Sequence, residues 1–129
     1  MKIARILLPF DGSTHSINAA QYAFNLEKLF GAHVTIMNCY EWTENLHLSE
    51  APENVLKKAE EIFAKQGVEY KIEAIAGSPG SILAELAKSK EYDLIIMGSH
   101  GHSDIVALFL GSVTHKVLNT IFCPVLIVP

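Results

Sequence analysis

Leu94, Ile95, Ile96 and Met97 run without a polar interruption straight into Gly98. A strand sends successive side chains to opposite faces, so a strand that is apolar at every position must be covered on both sides. That is the pattern of a central strand in a parallel sheet with helices packed above and below it. The chain must therefore supply further parallel strands and the helices that connect them.

The remaining sequence alternates in that way. Ile3 to Leu8 is a short apolar run before Pro9, read as the first strand. A helix follows, capped by Ser13 or Thr14, with Ala19, Ala23, Leu26 and Phe30 at helical spacing and Gly31 as its stop. Val34 to Cys39 reads as the second strand, and Tyr40 to Ser49 is a polar, acidic loop. Val55, Leu56, Ala59, Ile62 and Phe63 share one face of a second helix, ended by Gly67. Val68 to Ala74 alternates, with Val68, Tyr70, Ile72 and Ala74 on one side and Glu69, Lys71 and Glu73 on the other. Such a half-exposed strand belongs at a sheet edge. Ser78-Pro79 opens a third helix carrying Ile82, Leu83, Leu86 and Ala87. A last helix spans about Ser112 to Asn119, and Cys123 to Val128 form the final strand.

The expected fold is α/β: an open parallel five-stranded sheet, order 3-2-1-4-5, with helices on both faces, Rossmann-like, residues 1–129 forming one domain. The most apolar strands (first, second and fourth) lie inside, and the crossovers stay right-handed. Winding reverses between strands 1 and 4, and open α/β sheets bind ligands at the carboxyl ends of the strands where it does. Those ends carry Pro9-Phe10-Asp11-Gly12 and Gly98-Ser99-His100-Gly101.

Glycine offers positive φ angles and lets backbone N–H groups approach an oxygen closely. Gly98 and Gly101 would shape a turn directly after strand 4. Gly111-Ser112 would then open a helix whose free N–H groups favour an anion, with the Ser112 hydroxyl as a further donor. Taken singly, each residue is better explained as a turn or a cap. Together at a switch point they favour a phosphate site. The net charge of −4 and the lack of any Lys/Arg run argue against a nucleic-acid or anionic-membrane binder. No segment reaches transmembrane length, and the apolar start is too short for a signal peptide. Cys39 and Cys123, far apart in apolar surroundings, read as buried thiols of a reducing cytoplasm.

The loop is neither a Walker A loop nor a dinucleotide fingerprint. Pro9-Phe10-Asp11-Gly12-Ser13, the G-x-x-G-x₉-G-S spacing of Gly98, Gly101, Gly111 and Ser112, and the terminal Cys123 to Val128 resemble the universal stress protein family over essentially the whole chain. The glycine spacing resembles its ATP-binding branch. The resemblance implies an adenine-nucleotide-binding stress-response regulator acting as a homodimer through the C-terminal strand. It implies that Asp11 holds the adenosine end, Pro9 walls that pocket, and the Cys39 backbone meets adenine. Gly98 would lie beside ribose and α-phosphate. Gly101, Gly111, Ser112 and the N–H of Val113 would bind phosphates.

Where the family often has basic residues, this loop has His100 and His102, with Asp104 adding negative charge. Less fixed positive charge makes AMP or ADP as natural a ligand as ATP, or calls on Mg²⁺ to screen the phosphates. A polyphosphate beside His100 and His102 should tighten binding as pH falls. Lys116 lies in the helix beyond. A zinc site from His100, His102, Asp104 and His115 matches no standard spacing. His15, His33 and His47 have no role readable from sequence. No positioned general base is evident, so hydrolysis or autophosphorylation would be slow. The alternatives are a nucleotide-processing enzyme of the same fold group and an interaction module whose site has lapsed.

Overall fold

The computed structural model describes residues 2–41, 51–64, 67–101, 111–119 and 123–129. Along the chain come β1 (Arg5–Pro9), α1 (Thr14–Phe30), β2 (His33–Tyr40), α2 (Pro52–Phe63), β3 (Tyr70–Ala76), α3 (Pro79–Lys88), β4 (Leu94–Gly98), α4 (Ser112–Leu118) and β5 (Val125–Val128). The strands pair in parallel in the order β3-β2-β1-β4-β5, as the sequence pattern requires.

The two-residue period of the strands divides the core in two. Ile6 and Leu8, Val34 and Ile36, and Leu94 and Ile96 meet Ala19, Ala20 and Ala23 of α1 and Val55, Ala59 and Phe63 of α2. Leu7, Met37, Ile95 and Met97 face the other way, onto Leu83 and Ala87 of α3 and Val117 of α4. The apolar run in β4 is buried throughout because each face has its own helices.

The helix ends follow their local chemistry. Ser13 caps α1, its hydroxyl accepting the Ser16 N–H at 3.2 Å. Gly31 ends α1 in the left-handed region at φ 64°, and its N–H donates to the Glu27 carbonyl. The inward stripe of α1 differs from expectation at its last turns. Phe30 is 50% exposed, whereas Glu27 is buried at 5%. The stripe that faces the sheet runs through residues 16, 19, 20, 23 and 27, and Phe30 falls beside it.

β3 begins and ends two residues later than the alternation suggests. Tyr70 packs on Phe63 of α2, ring centroids 5.7 Å apart. Ile72, expected beside it on the inner face, is 39% exposed. An edge strand has one neighbour, and burial ends where the covering helix does. The shifted strand instead places Ile75 in the second core cluster. Below the sheet, the Asp93 carboxylate accepts the N–H groups of Ala4 and Arg5 at 2.9 and 2.8 Å, which clamps the start of β1 to the start of β4.

Candidate functional site

β1 and β4 are neighbours whose connections leave for opposite sides of the sheet, so a crevice opens above their carboxyl ends. A cavity of about 200 Å³ lies there. β1 and its turn contribute Pro9, Phe10 and Asp11. β2 contributes Met37, Asn38 and Cys39, and α3 contributes Pro79 and Leu83. Met97, Gly98, His100 and Gly101 line it from β4, and Val113 and Thr114 from α4. The walls are mainly apolar, with a few polar groups at fixed positions, which suits a flat heterocycle carrying polar substituents.

Seven of the residues singled out in the sequence therefore converge: Pro9, Asp11, Cys39, Gly98, His100, Gly101 and Val113. Gly111 and Ser112 are not part of the cavity lining; Gly111 is buried at the N-cap of α4, and Ser112 is its exposed first residue. His102 and Asp104 lie outside the described residues. His115 and Lys116 are exposed on α4, and Lys116 Nζ donates to Ser81 Oγ at 3.1 Å, on the α3 side. Among the described residues no group of three or more His, Cys, Asp or Glu could hold a metal ion. A magnesium ion here would have to take most of its oxygens from a ligand's phosphates and from water.

The glycines work differently from expectation. Gly98 does not have a positive φ. A Cβ on it would stand 2.7 Å from His15 Cβ and 2.9 Å from the His15 carbonyl carbon. Its missing side chain is what lets the first turn of α1 rest directly on the end of β4. Gly111 has φ −61°, which any residue can adopt, and its N–H donates to the Ser99 carbonyl at 2.7 Å. That donor is used inside the loop. The left-handed turn at this pole is Gly12, at φ 82°. There Asp11 Oδ1 accepts the Ser13 N–H at 2.9 Å. Asp11 thus closes an Asx-turn, and it also lines the cavity.

Three supporting residues escape sequence reasoning. Asn38 Nδ2 donates to the Phe10 carbonyl at 2.9 Å, and the Phe10 N–H donates to the Met37 carbonyl at 2.8 Å, so the turn carrying Asp11 is tied to β2. Asn38 Oδ1 is buried without a partner. Thr114 Oγ1 donates to the Gly98 carbonyl at 2.9 Å and fixes α4 against β4. Ser99 Oγ lies between two imidazoles, those of His15 and His100. A polar residue within the apolar stretch of β2 was a legible signal for Asn38. The other two depend on segments far apart in sequence.

Burial pushes the Cys39 thiol up to about 11, so the group is neutral and unreactive near neutral pH. Burial, and then the carboxylate of Asp93, raise that of Cys123 as well. Neither cysteine is in a disulfide. Among the described residues no helix is long and apolar enough to cross a membrane.

A family model described as the universal stress protein family matches residues 2–129. Universal stress protein MJ0531 of Methanocaldococcus jannaschii is 33% identical over 138 residues, covering 96% of this chain and 81% of that protein. A universal stress protein of Thermus aquaticus is 33% identical over 132 residues, covering 95% and 96%. Among solved structures, universal stress protein UspA from Lactobacillus plantarum superposes with a TM-score of 0.85 at 22% identity, covering 100% of this chain and 99% of that one. A universal stress protein solved in complex with cAMP superposes with a TM-score of 0.78 at 27% identity, covering 100% and 98%.

Proposed function

The chain belongs to the universal stress protein family, and from that membership we propose that residues 1–129 act as one adenine-nucleotide-binding regulatory domain, working as a homodimer in the cytoplasm. The observation that carries the reading is the cavity at the switch point, bordered by Asp11 and Cys39 at one pole and by Gly98, His100 and Gly101 at the other. A relative of 27% identity has been solved with cAMP, which supports an adenine nucleotide as the ligand.

The fit is physical. At about 200 Å³ the cavity is smaller than the ~300 Å³ at which sites for whole drug-sized ligands begin. It suits a nucleoside moiety, with phosphates continuing outward over the glycine loop. Apolar walls would stack the base, and the Asp11 carboxylate would accept from ribose hydroxyls. The Cys39 backbone would read the adenine edge. Gly101, Ser112 and the N–H of Val113 would serve the phosphates of ATP, ADP or AMP, with Mg²⁺ if a polyphosphate is bound, while Gly111, its N–H held by the Ser99 carbonyl, would shape the loop behind them. Two copies would join along β5 (Val125–Val128), the apolar strand at the sheet edge.

Mass spectrometry of the small molecules released from purified protein, followed by calorimetric titration with ATP, ADP, AMP and GTP, tests the assignment. Adenine nucleotide should be released or should bind in preference to GTP. Protein that releases none and binds none at millimolar concentration would overturn it.

A further inference from the structure

The chain turns at two poles of the sheet, and its charges are divided between them. In a parallel sheet the segments that follow the strands leave and return at the carboxyl-end pole, which is where the cavity opens. Here those segments are residues 10–13, 41–51, 77–78 and 99–111. Together they contain no Lys or Arg, and five acidic residues: Asp11, Glu41, Glu44, Glu50 and Asp104.

The ten Lys and Arg residues belong elsewhere. Arg5 and Lys71 lie at the starts of β1 and β3, where they pair with Asp93 and Glu73. Lys28 and Lys88 are in the last turns of α1 and α3, and Lys2, Lys65 and Lys90 belong to the segments that lead into β1, β3 and β4. All of these belong to the opposite pole. Lys57 and Lys58 are exposed on α2, which contributes nothing to the cavity lining. Lys116 of α4 is also outside the lining, and its Nζ donates to Ser81 Oγ on α3 at 3.1 Å.

The cavity has room for a nucleoside, so phosphates must extend from it over the anionic pole. A first phosphate can be met by N–H and hydroxyl dipoles, which need no countercharge. These donors are limited, since the Gly111 N–H is already given to the Ser99 carbonyl at 2.7 Å. Each further phosphate adds negative charge where the connections supply carboxylates and no fixed cation. The histidines of this pole, His100 among them, carry charge only conditionally, unlike Lys or Arg. Asp11, assigned above to the ribose, is the acidic residue in the lining itself.

We propose that this site selects its ligand by charge: it takes adenosine or an adenine nucleotide with a single phosphate, and it discriminates against ADP and ATP that are not complexed by a divalent metal. The proposal rests on the nucleotide reading above and narrows it.

Calorimetric titration with adenosine, AMP, ADP and ATP tests it, in EDTA at low ionic strength and at pH 8, above the titration of free imidazole. AMP should bind at least about tenfold more tightly than ATP, with ADP between them. Added salt should narrow the gap by raising ATP affinity, where a cationic phosphate site would lose affinity. Excess Mg²⁺, which offsets part of the charge of ATP, should narrow it too. A fixed cation at the site should have the same effect without metal: His100→Lys should raise ATP affinity relative to AMP by roughly tenfold. If circular dichroism shows that this variant does not fold, Ser112→Lys, at an exposed position in the first turn of α4, carries the same expectation. Lys116→Gln should leave the ratio of ATP to AMP affinity unchanged. ATP binding as tight as AMP without metal, or ATP affinity that falls as salt is added, overturns the charge selection and leaves the nucleotide reading standing. A selective loss of ATP in Lys116→Gln overturns it as well, by giving the polyphosphate a cation. A gap that neither Mg²⁺ nor the new lysine narrows is steric and overturns the electrostatic basis. Failure of all four adenine ligands to bind overturns the nucleotide reading itself, and the selection with it.

Discussion

Replacing Glu27 by Gln should stabilise the protein above neutral pH and leave it nearly unchanged in acid. Glu27 is buried on the sheet face of α1, and its Oε2 has no partner. Burial pushes its carboxyl from 4.5 to about 7; the neighbouring Glu69 carboxylate pushes the same way, and the Glu69 backbone N–H pulls weakly against both. The folded state therefore keeps a proton that the unfolded chain gives up. Between pH 4.5 and about 7 every rise in pH favours unfolding, and above that window the cost is constant. At ~1.4 kcal/mol per tenfold change, the full cost is about 3 kcal/mol. That is a large part of the ~5–15 kcal/mol available to a domain. The glutamine keeps the shape without the charge, and its NH₂ group can donate toward Glu69. Urea unfolding followed by circular dichroism, at a series of pH values, gives the comparison. The gain of Glu27→Gln over wild type should grow from near zero at pH 4 to about 3 kcal/mol at pH 8, with the m value unchanged. Glu69→Gln should shift the window toward lower pH in the Glu27 protein. A difference between Glu27→Gln and wild type that does not vary with pH would refute the account.

Gly98→Ala should cost about 1–3 kcal/mol in chemical denaturation, since the new methyl meets His15 backbone at 2.9 Å and α1 must lift to admit it. Asp11→Asn keeps an acceptor for the Ser13 N–H but loses the charge; stability should change by less than about 1 kcal/mol while AMP affinity drops roughly tenfold by calorimetry. Gly101→Val should abolish nucleotide binding in a protein whose circular dichroism is unchanged, and undiminished affinity would place the phosphates elsewhere. Ile127→Pro should turn a dimer into a monomer in sedimentation. The Val128 and Pro124 carbonyls point to β4, so the intervening Ile127 N–H points to the open edge, and proline removes it without touching the β4 ladder.

The strand order and the location of the cavity were legible because period sorts central strands from edge strands, right-handed crossovers then set the order, and that order sets the switch point. A run such as Leu94 to Met97 has to be central, and alternation such as that of Val68 to Ala74 has to be peripheral. What period does not contain is distance between segments. Gly98 was visible as a glycine at the end of a strand, but its reason is the backbone of α1, more than eighty positions earlier in the chain. His15 and Ser99 have unremarkable sequence contexts and meet only because α1 crosses the end of β4. The place of Glu27 in the inward stripe was misread because Phe30 is the more apolar residue at a similar helical angle. The stripe that meets the sheet takes Glu27 and leaves Phe30 half exposed. Edge strands have the same limitation: Ile72 has the right parity for burial and is still 39% exposed.

The pairing of β1 with β4 also sets the order in which this molecule can become itself. Ile6 lies beside Leu94, so the two walls of the crevice come from opposite ends of the chain. A growing polypeptide can join β1 to β2 early, but β4 arrives only after most of the chain has been made, and closing so long a loop is slow. Until it docks there is no crevice and nothing for a nucleotide to hold. A ligand at this site therefore slows escape from the finished structure and does little to speed arrival. If that ligand is the proposed nucleotide, its level would set how long the folded protein lasts while leaving untouched how fast new copies mature.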